Sequence, residues 1–340
     1  MANRDMVVVG ASAGGTEALT ELIRGLPSDF PAAIFVVVHF PASTHSVLPR
    51  ILSRAGSLPA IHADDGMTFE PGRIYVARPD CHLTVRDGRL AVQKGPKENN
   101  ARPAVDSLFR SAAWSAGPRV IGIVLSGNLN DGTAGLLSIK QHGGIAVVQD
   151  PDTAMYPGMP QSAIDHVPVD HVAPLDQMPA LLVELTAADT GPKESPPMDA
   201  EETLSAEEEV VADRQTQPGT PSTMTCPECH GTLWETREGA LVHFRCRVGH
   251  AYTAESLVAH QADQLETALW TALRSLEEHA ALCRRLAERA GARGHARSAS
   301  TFTEQAMDSE HHASAIRNVL SSGLGGQAAL MDAASHVAAG

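Results

Sequence analysis

The chain has 340 residues, enough for more than one compact domain, and a net charge of -14 from 40 acidic and 26 basic side chains. This charge argues against a general affinity for nucleic acids or anionic lipid surfaces. No apolar run approaches the roughly 20 residues that span a bilayer, and no basic segment precedes the first apolar run. Five cysteines in a chain of this length do not indicate a disulfide scaffold. We therefore expect a cytoplasmic protein that binds no nucleic acid and is not embedded in a membrane.

The first 187 residues alternate strand-like apolar runs with helical segments, which indicates an α/β fold with a mostly parallel, doubly wound sheet. A strand near 72–77 and a hairpin at 83–92, turning at Asp87-Gly88, have no helix between them, so we expect the sheet to be mixed. The other predicted strands are 6–9, 34–38, 120–125 and 144–149, and the predicted helices include 17–23 and 105–114.

The rest of the chain divides into four segments of different composition. Residues 188–223 are acidic and rich in Pro, Ser and Thr, which predicts a disordered linker. Residues 224–253 form a compact Cys/His segment, 254–322 a helical hairpin, and 323–340 a flexible tail. We place the catalytic domain at 1–187.

Apolar residues recur every three or four positions along both predicted helices of the hairpin. The first seam includes Val258, Leu265 and Cys283, and the second includes Ala306 and Ala313. We expect the two helices to pack against each other, although the seams would also suit a protein partner.

Three apolar runs each lead to a different member of a Ser, His, Asp set. The first leads to Ser12 within Gly-Ala-Ser-Ala-Gly, the second ends at His39, and the third leads to Asp131. In an open parallel sheet the carboxyl ends of the strands line one crevice, so these residues could meet there. A serine nucleophile, a histidine base and an aspartate that orients the imidazole make up a catalytic triad. The sequence therefore predicts a serine hydrolase.

Each of these residues taken singly has another interpretation. Gly10, Ser12 and Gly15 occupy the places of a G-x-G-x-x-G anion-binding turn whose middle glycine is lost. His39 could be a solvent-facing residue at a strand end, and Asp131 could cap the helix that follows it. The conjunction of the three residues favours the hydrolase.

The order Ser, His, Asp differs from the Ser, Asp, His order of α/β-hydrolases. The chain also carries the motifs Gly10-Ala11-Ser12-x-Gly14-Gly15, His39-Phe40-Pro41, Arg102-Pro103-x-Val105-Asp106, Leu125-Ser126-Gly127, Asn130-Asp131-Gly132 and Gly158-Met159-Pro160. With these motifs, residues 4–185 resemble the catalytic domain of CheB-type protein-glutamate methylesterases, enzymes of chemotaxis signal transduction. The resemblance implies a triad of Ser12, His39 and Asp131 that hydrolyses γ-glutamyl methyl esters on the cytoplasmic helices of methylated chemoreceptors. It also implies methanol release, often glutamine deamidation, and no cofactor for catalysis.

The chain departs from the family pattern in three ways. Ala13 stands where the family usually has Thr, and residues 127–132 read Gly-Asn-Leu-Asn-Asp-Gly instead of Gly-Met-Gly-Asn-Asp-Gly. The catalytic domain also begins at once, so we expect no receiver domain before it and an enzyme that is constitutively accessible or controlled through its C-terminal extension. Two alternatives remain: a non-catalytic anion-binding signalling module, and an esterase or amidase acting on another substrate.

Four residues of the Cys/His segment have the spacing of a zinc ribbon. Cys226 and Cys229 form C-x2-C, and after 16 residues Cys246 and His250 form C-x3-H. His243 competes for the fourth place, and reduced thiols or a redox pair are the alternatives. Such a closed zinc site would be structural, so we give it no catalytic role. Chelation is expected to unfold 224–253 and to leave the activity of a 1–190 fragment unchanged.

Overall fold

The structure, a computed structural model, describes residues 3–42, 46–188, 219–238 and 241–321. Contacts between residues divide the chain into two compact units, 1–257 and 258–340. Within the four described ranges, no helix is long and apolar enough to cross a membrane. The predicted tail and most of the predicted linker lie outside the described residues.

Seven parallel strands form the central sheet of the first unit. Their spatial order is β3-β4-β2-β1-β7-β8-β9, so β1 lies at the centre with three strands on each side. The nine strands up to residue 173 are β1 Met6–Ala11, β2 Ala33–Val38, β3 Ala60–His62, β4 Ile74–Val76, β5 His82–Arg86, β6 Arg89–Gln93, β7 Val120–Val124, β8 Ile145–Gln149 and β9 His171–Ala173.

The hairpin β5–β6 is not part of this sheet. Asp87 and Gly88 both have positive φ, as a two-residue turn between antiparallel strands requires, and β5 and β6 pair only with each other as a sheet. The expectation of a mixed sheet was therefore wrong, because the hairpin turns its apolar side chains onto the helix layer instead of extending the ladder.

Helices cover both faces of the sheet, which explains the continuous apolar strands. Val7 and Val9 of β1 belong to the core on one face, while Met6 and Val8 belong to the core on the other. The first face carries α1 Gly15–Arg24, α2 Leu48–Ala55 and α6 Met178–Ala187, and the second carries α3 Val105–Ala116, α4 Thr133–Gln141 and α5 Gly158–His166.

The Cys/His module closes the first unit. Four antiparallel strands, in the order β10-β11-β12-β13, enclose a core of six buried residues. The strands are β10 Thr220–Thr225, β11 Thr232–Glu238, β12 Leu241–Cys246 and β13 Ala251–Thr253. Strand β10 pairs with β11 from Thr220 onward, so it starts four residues before the predicted boundary at 224.

Two long helices make up the second unit. Helix α7, Ala254–Ala292, starts in the last residues of the first unit, and α8, Ala296–Ser321, folds back along it as the predicted hairpin. Small side chains fill the seam, and His279 bonds to Ser309 Oγ across it at 3.0 Å. Val258 and Leu265 are about half exposed, at 52% and 51%, although the periodicity placed them in the seam. Helix α8 has 26 residues against 39 in α7 and is too short to cover them.

Candidate active site

The serine of the G-x-S-x-G motif lies just beyond the carboxyl end of the central strand β1. The ladder between β1 and β7 continues past both strands, because the Ser12 amide donates to the Ser126 carbonyl at 3.0 Å. Gly14 then adopts a φ of 70°, which turns the chain into α1. Gly127 lies so close that a Cβ there would come within 2.9 Å of the Ser12 Cβ. Ser12 is thus fixed by backbone contacts on both sides.

The three predicted residues come together as one hydrogen-bonded chain. His39 Nδ1 lies 3.1 Å from Ser12 Oγ, and His39 Nε2 lies 2.8 Å from Asp131 Oδ2. The His39 side chain is 22% exposed and that of Asp131 only 4% exposed. The nucleophile and base are therefore reachable from solvent, whereas the acid lies beneath them.

The imidazole of His39 is oriented by its carboxylate partner. A carboxylate accepts hydrogen bonds only, so the Nε2–H of His39 donates to Asp131 and Nδ1 is left to accept the Ser12 hydroxyl proton. In the chymotrypsin arrangement Nε2 faces the serine and Nδ1–H the aspartate. The ring nitrogens are exchanged here, while the order of donor and acceptor is kept.

Asp131 is surrounded by donors. Its Oδ2 accepts from the Val105 amide at 2.7 Å as well as from His39, and its Oδ1 accepts from the Asp106 amide at 3.1 Å and from Asn99 Nδ2 at 3.0 Å. Burial alone would raise the pKa of Asp131, but the hydrogen bond and charge of His39 and the other donors lower it. The residue is held as a carboxylate.

Asp131 caps a helix, although not the one that follows it in sequence. The Val105 and Asp106 amides are the first two of α3, so the carboxylate lies at the positive end of that helix. Helix α4 is capped in return by Asp106, whose Oδ1 accepts from the amides of Gly132 at 3.0 Å and Gly135 at 2.6 Å. Reciprocal capping locks the two helices that flank the acid.

Asp106 differs from Asp131 in its electrostatics. Burial, the nearby charge of Asp131 and the charge of Glu98 raise the pKa of Asp106 well above its ordinary value. Glu98 itself is half-buried beside Arg110. Its partial burial raises its pKa, but the charge and hydrogen bonds of Arg110 lower it overall. Asp106 belongs to one of the family motifs, but its spacing gave no sign that it supports the triad.

Asn99 was missed by the sequence analysis. It is buried, has a φ of 51°, and its Nδ2 donates to Asp131 at 3.0 Å and to Asp106 Oδ2 at 2.8 Å. Its Oδ1 accepts from the Thr253 amide at 3.1 Å and from Ser256 Oγ at 3.2 Å. The segment Lys-Glu-Asn-Asn at 97–100 matches no motif, so only the fold reveals the position of Asn99.

Two backbone amides beside Ser12 are suited to bind an oxyanion. In the part of the chain that the structure describes, the N–H groups of Ala13 and Gly14 donate to no protein acceptor, whereas the Ser12 and Gly127 amides donate to carbonyls. Ala13 and Gly14 lie at the start of α1, whose N-terminus favours negative charge. These two amides are the candidate oxyanion donors.

Exposed apolar residues surround the nucleophile. Met155 is 65% exposed and packs over Gly14, where a Cβ would lie 3.0 Å from that of Met155. Leu129 and Tyr156, 44% and 37% exposed, lie on the loops that contact Gly158 and Gly127. We call Leu129, Met155 and Tyr156 the apolar rim.

The four predicted metal ligands lie together. Their ligand atoms are all within 4.8 Å of one another. Cys229 Sγ lies 3.5 Å from Cys246 Sγ, and His250 Nδ1 lies 3.7 Å from Cys226 Sγ and 3.6 Å from Cys246 Sγ. A tetrahedral zinc site with ordinary bond lengths has ligand separations of roughly 3.5–3.8 Å. The residues therefore fit the geometry of a bound zinc ion.

His250 fits the cluster better than its competitor His243, which lies in the middle of β12 and is not in the cluster. Burial lowers the pKa of the His250 imidazole, which favours the neutral form that binds metals. Burial also raises the pKa of the Cys246 thiol to about 11, with Cys229 and Cys226 contributing. Burial acts the same way on Cys226, but hydrogen bonds from the Cys229 backbone and Tyr252 lower its pKa.

A parallel α/β sheet that brings a serine, a histidine and an aspartate into one hydrogen-bonded chain defines the class of protein, a hydrolase. The sequence profile of the CheB methylesterase family matches residues 7–182, which is more than half of the chain. The chain belongs to this family.

Named relatives agree with this placement. A Leptospira interrogans protein, provisionally named a protein-glutamate methylesterase/protein-glutamine glutaminase, is 36% identical over 184 residues, 54% of this chain and 95% of that protein. A protein-glutamate methylesterase/protein-glutamine glutaminase of Xanthomonas euvesicatoria is 38% identical over 186 residues, 54% of this chain and 52% of its own length. The chain thus spans about half of the longer relatives it matches.

A solved structure supports the fold. The crystal structure of the Thermotoga maritima CheB methylesterase catalytic domain is 36% identical to this chain, with a TM-score of 0.52. The match covers all of that domain and 54% of this chain. Residues after 182, including the Cys/His module, lie outside the family match.

Proposed function

We propose that the protein is a protein-glutamate methylesterase whose triad is Ser12, His39 and Asp131. The observation that carries this proposal is the continuous hydrogen-bonded chain from Ser12 Oγ through the imidazole to the Asp131 carboxylate. An anion-binding turn needs neither a histidine directed at the serine hydroxyl nor a buried carboxylate behind it. The geometry therefore favours nucleophilic catalysis over anion binding.

The reaction follows from the polarity of this chain. His39 Nδ1 takes the proton of Ser12 as Oγ attacks the γ-carbonyl carbon of a methylated glutamate. Asp131 stabilises the imidazolium, which then donates the proton to the departing methoxide and releases methanol. Water attacks the acyl-enzyme with His39 again as base, and glutamate and free Ser12 result.

The tetrahedral intermediate carries negative charge on the former carbonyl oxygen. The Ala13 and Gly14 amides are proposed to donate to it, aided by the N-terminus of α1. Because these donors are backbone groups, Ala13 in place of the usual Thr leaves them intact. Deamidation of glutamine follows the same steps with ammonia as the leaving group, as the second activity in the relatives' names implies.

The substrate is proposed to be a methylated chemoreceptor, recognised on its cytoplasmic helices. The apolar rim of Leu129, Met155 and Tyr156 supports a protein substrate, because exposed apolar side chains around a nucleophile suit the side of a helix. The substrate thus reaches Ser12 from the solvent-exposed side of His39.

The Cys/His module is proposed to hold a structural zinc ion through Cys226, Cys229, Cys246 and His250. Three thiols and one imidazole are a common structural zinc set, and no position is left for a reacting ligand. A bound zinc ion would cross-link β12, through Cys246, to the turn that carries Cys226 and Cys229.

Methanol release from purified chemoreceptor fragments methylated in advance tests the proposed activity. We expect release by the full chain and at least a roughly thousandfold loss in Ser12→Ala and His39→Ala. Ser57→Ala and His166→Ala are matched controls, because both residues are exposed and lie outside the triad. Release that persists in Ser12→Ala would refute the proposed nucleophile.

If no receptor fragment releases methanol, a serine-reactive fluorophosphonate probe separates the two remaining functions. Labelling of Ser12 would indicate an esterase or amidase for another acyl substrate. No labelling of a folded protein would indicate a non-catalytic binding module.

A further inference from the structure

The last strand of the Cys/His module reaches the residues that support Asp131. Strand β13 follows the metal-site residue His250 directly, and it lies with segment 97–99 in the first compact unit. The Asn99 amide donates to the Ala251 carbonyl at 2.8 Å, and the Ala251 amide donates to the Lys97 carbonyl at 3.2 Å. Segment 97–99 is thus held along β13 by its backbone. An ion pair between Lys97 and Glu228 adds a side-chain contact to the same module.

The side-chain amide of Asn99 depends on the Cys/His module for half of its hydrogen bonds. Its Nδ2 uses both protons, one toward Asp131 and one toward Asp106, and among the described residues its Oδ1 accepts only from Thr253 and Ser256. All four hydrogen-bonding positions of the side chain are therefore used. Without the two donors of the module, a buried carbonyl oxygen would lose its partners and the amide would be free to rotate.

Asn130, the neighbour of Asp131 in sequence, is held in the same way. Thr253 Oγ1 donates to Asn130 Oδ1 at 2.9 Å, and Asn130 Nδ2 donates to Glu255 Oε2 at 2.7 Å. Thr253 Oγ1 also accepts from the Ser256 amide at 3.2 Å and so caps α7. The oxygen and the nitrogen of the Asn130 side-chain amide thus bond to Thr253 and Glu255, at the junction of β13 and α7.

Resting on the triad proposed above, we propose that Thr253 and Ser256 are positioning residues that hold Asp131 against His39, acting through Asn99 and Asn130. Neither residue contacts Ser12 or His39, so neither takes part in the chemistry. The module is then a support for the active site, so a 1–190 fragment, which lacks Thr253 and Ser256, is expected to be less active than the full chain whether or not a chelator is present.

The residues that carry the proposal are buried, as this role requires. Thr253 is 2% exposed, Ser256 1%, Asn130 4% and Asn99 8%. If these hydrogen bonds are removed, water cannot easily replace them, because the partners are buried. A change in the module is transmitted to Asp131 through two side chains.

The test is made on the full zinc-loaded chain with Thr253→Val, Ser256→Ala and the double variant. The double variant loses the hydroxyl bonds to Asn130 and Asn99. It is therefore expected to lower kcat for methanol release, and the rate of Ser12 labelling by a fluorophosphonate, roughly tenfold, with KM unchanged. The single variant Thr253→Ser keeps the hydroxyl and is expected to keep the wild-type rate. Thr232→Val, which changes an exposed hydroxyl of the same sheet, is the matched control.

A second readout does not require catalysis. The exchange of the His39 Nε2–H proton, which is bonded to Asp131, can be followed by NMR. We expect this exchange with water to speed up in the double variant and to stay at the wild-type rate in Thr253→Ser. Bound zinc per chain and the melting temperature show whether each variant is folded. If the fluorophosphonate does not label Ser12 in the wild type, the proposed hydrolase function fails. Exchange of the His39 Nε2–H proton then decides whether Thr253 and Ser256 position Asp131. Labelling and exchange equal to wild type in a folded double variant would overturn it.

Discussion

The central sheet and the Cys/His module lie in the same compact unit but are stabilised in different ways. The sheet buries apolar side chains on both faces, under three helices on each side. The apolar core of the module is a cluster of six buried residues, of which Leu257 comes from α7 and two, Cys226 and Cys246, are proposed metal ligands. A core this small does not stabilise a four-stranded sheet without a cross-link.

This difference separates two parts of the active site. Ser12 and His39 follow strands whose position is set by the large core, whereas Asp131 is oriented partly by Asn99 and Asn130, which bond to the module. The nucleophile and base are therefore expected to be insensitive to metal, and the acid sensitive. Changes to the metal site, the acid and the loop beside it test this contrast, in order of decreasing expected effect.

Metal removal is expected to have the largest effect. Structural zinc contributes on the order of 10 kcal/mol to the folding of small zinc domains, so chelation or Cys246→Ser should abolish amide protection across 219–253. Strands β1, β2 and β7 should stay protected, because their core does not include the module. Hydrogen exchange followed by mass spectrometry measures both regions in one sample.

Cys81→Ser is the matched control for Cys246→Ser, since Cys81 lies outside the metal cluster. Unchanged protection of 219–253 in zinc-free protein would contradict a structural role for the metal. Lost protection of β1 and β2 as well would show that the two regions unfold as one.

Asp131→Asn is expected to have the next largest effect. In the asparagine, an NH2 group replaces one carboxylate oxygen and faces two of the four donors that surround Asp131. The side chain then no longer favours the His39 tautomer whose Nδ1 accepts the Ser12 proton. We expect kcat to fall roughly 10³- to 10⁴-fold, as in other serine hydrolases with this change. Methanol-release kinetics measure it, with exposed Asp29→Asn as control. A loss below tenfold would show that Asp131 does not orient the base.

The same variant tests the electrostatics of the acid through stability. The folded-state pKa of Asp131 is below its unfolded value, so its carboxylate stabilises the fold above about pH 4, and this contribution is lost as pH falls through the folded pKa. The difference in unfolding free energy between wild type and Asp131→Asn should be about 1–3 kcal/mol at pH 7 and shrink below pH 4. Urea unfolding across this pH range measures it. A difference that grows toward low pH would contradict the lowered pKa.

The sequence predicted the triad because its residues follow three strong strand signals. Ser12 and His39 come directly after β-branched runs, and parallel strands place such residues at one edge. The Cys/His cluster was predicted as a metal site because C-x2-C and C-x3-H carry their own spacing, and the structure brings the four side chains together. In both cases a short stretch of sequence marks each residue, and the fold only brings two or three such stretches together.

The support of the triad could not be predicted in this way. Asn99 and Thr253 are 154 positions apart, and ordinary polar residues at that separation have no common pattern. Asp131 looked like the cap of its own helix but caps α3, since which helix start lies nearest depends on packing. The mixed sheet was wrong for a related reason: the pattern showed the hairpin but not the layer in which it lies.

The smallest predicted effect concerns the loop that carries Asn130. Leu129 has a φ of 62°, a left-handed conformation that costs an ordinary residue about 1–2 kcal/mol and glycine little. Glycine also raises the conformational entropy of the unfolded chain, which offsets part of this gain. The net stabilisation by Leu129→Gly should therefore be at most about 1 kcal/mol. Leu129→Ala, which keeps the same φ, should not stabilise it. Thermal or urea unfolding of the three proteins measures the differences.

The gain from Leu129→Gly also reports on the module, because Leu129 precedes the residue that Thr253 and Glu255 hold. If these contacts impose the left-handed conformation, the loop relaxes once the module unfolds and the gain disappears in a Cys246→Ser background. A double-mutant cycle of Leu129→Gly and Cys246→Ser would then give a coupling energy near the full gain. Zero coupling would mean that the catalytic sheet alone fixes the loop, and that the module bonds to Asn130 without shaping its backbone.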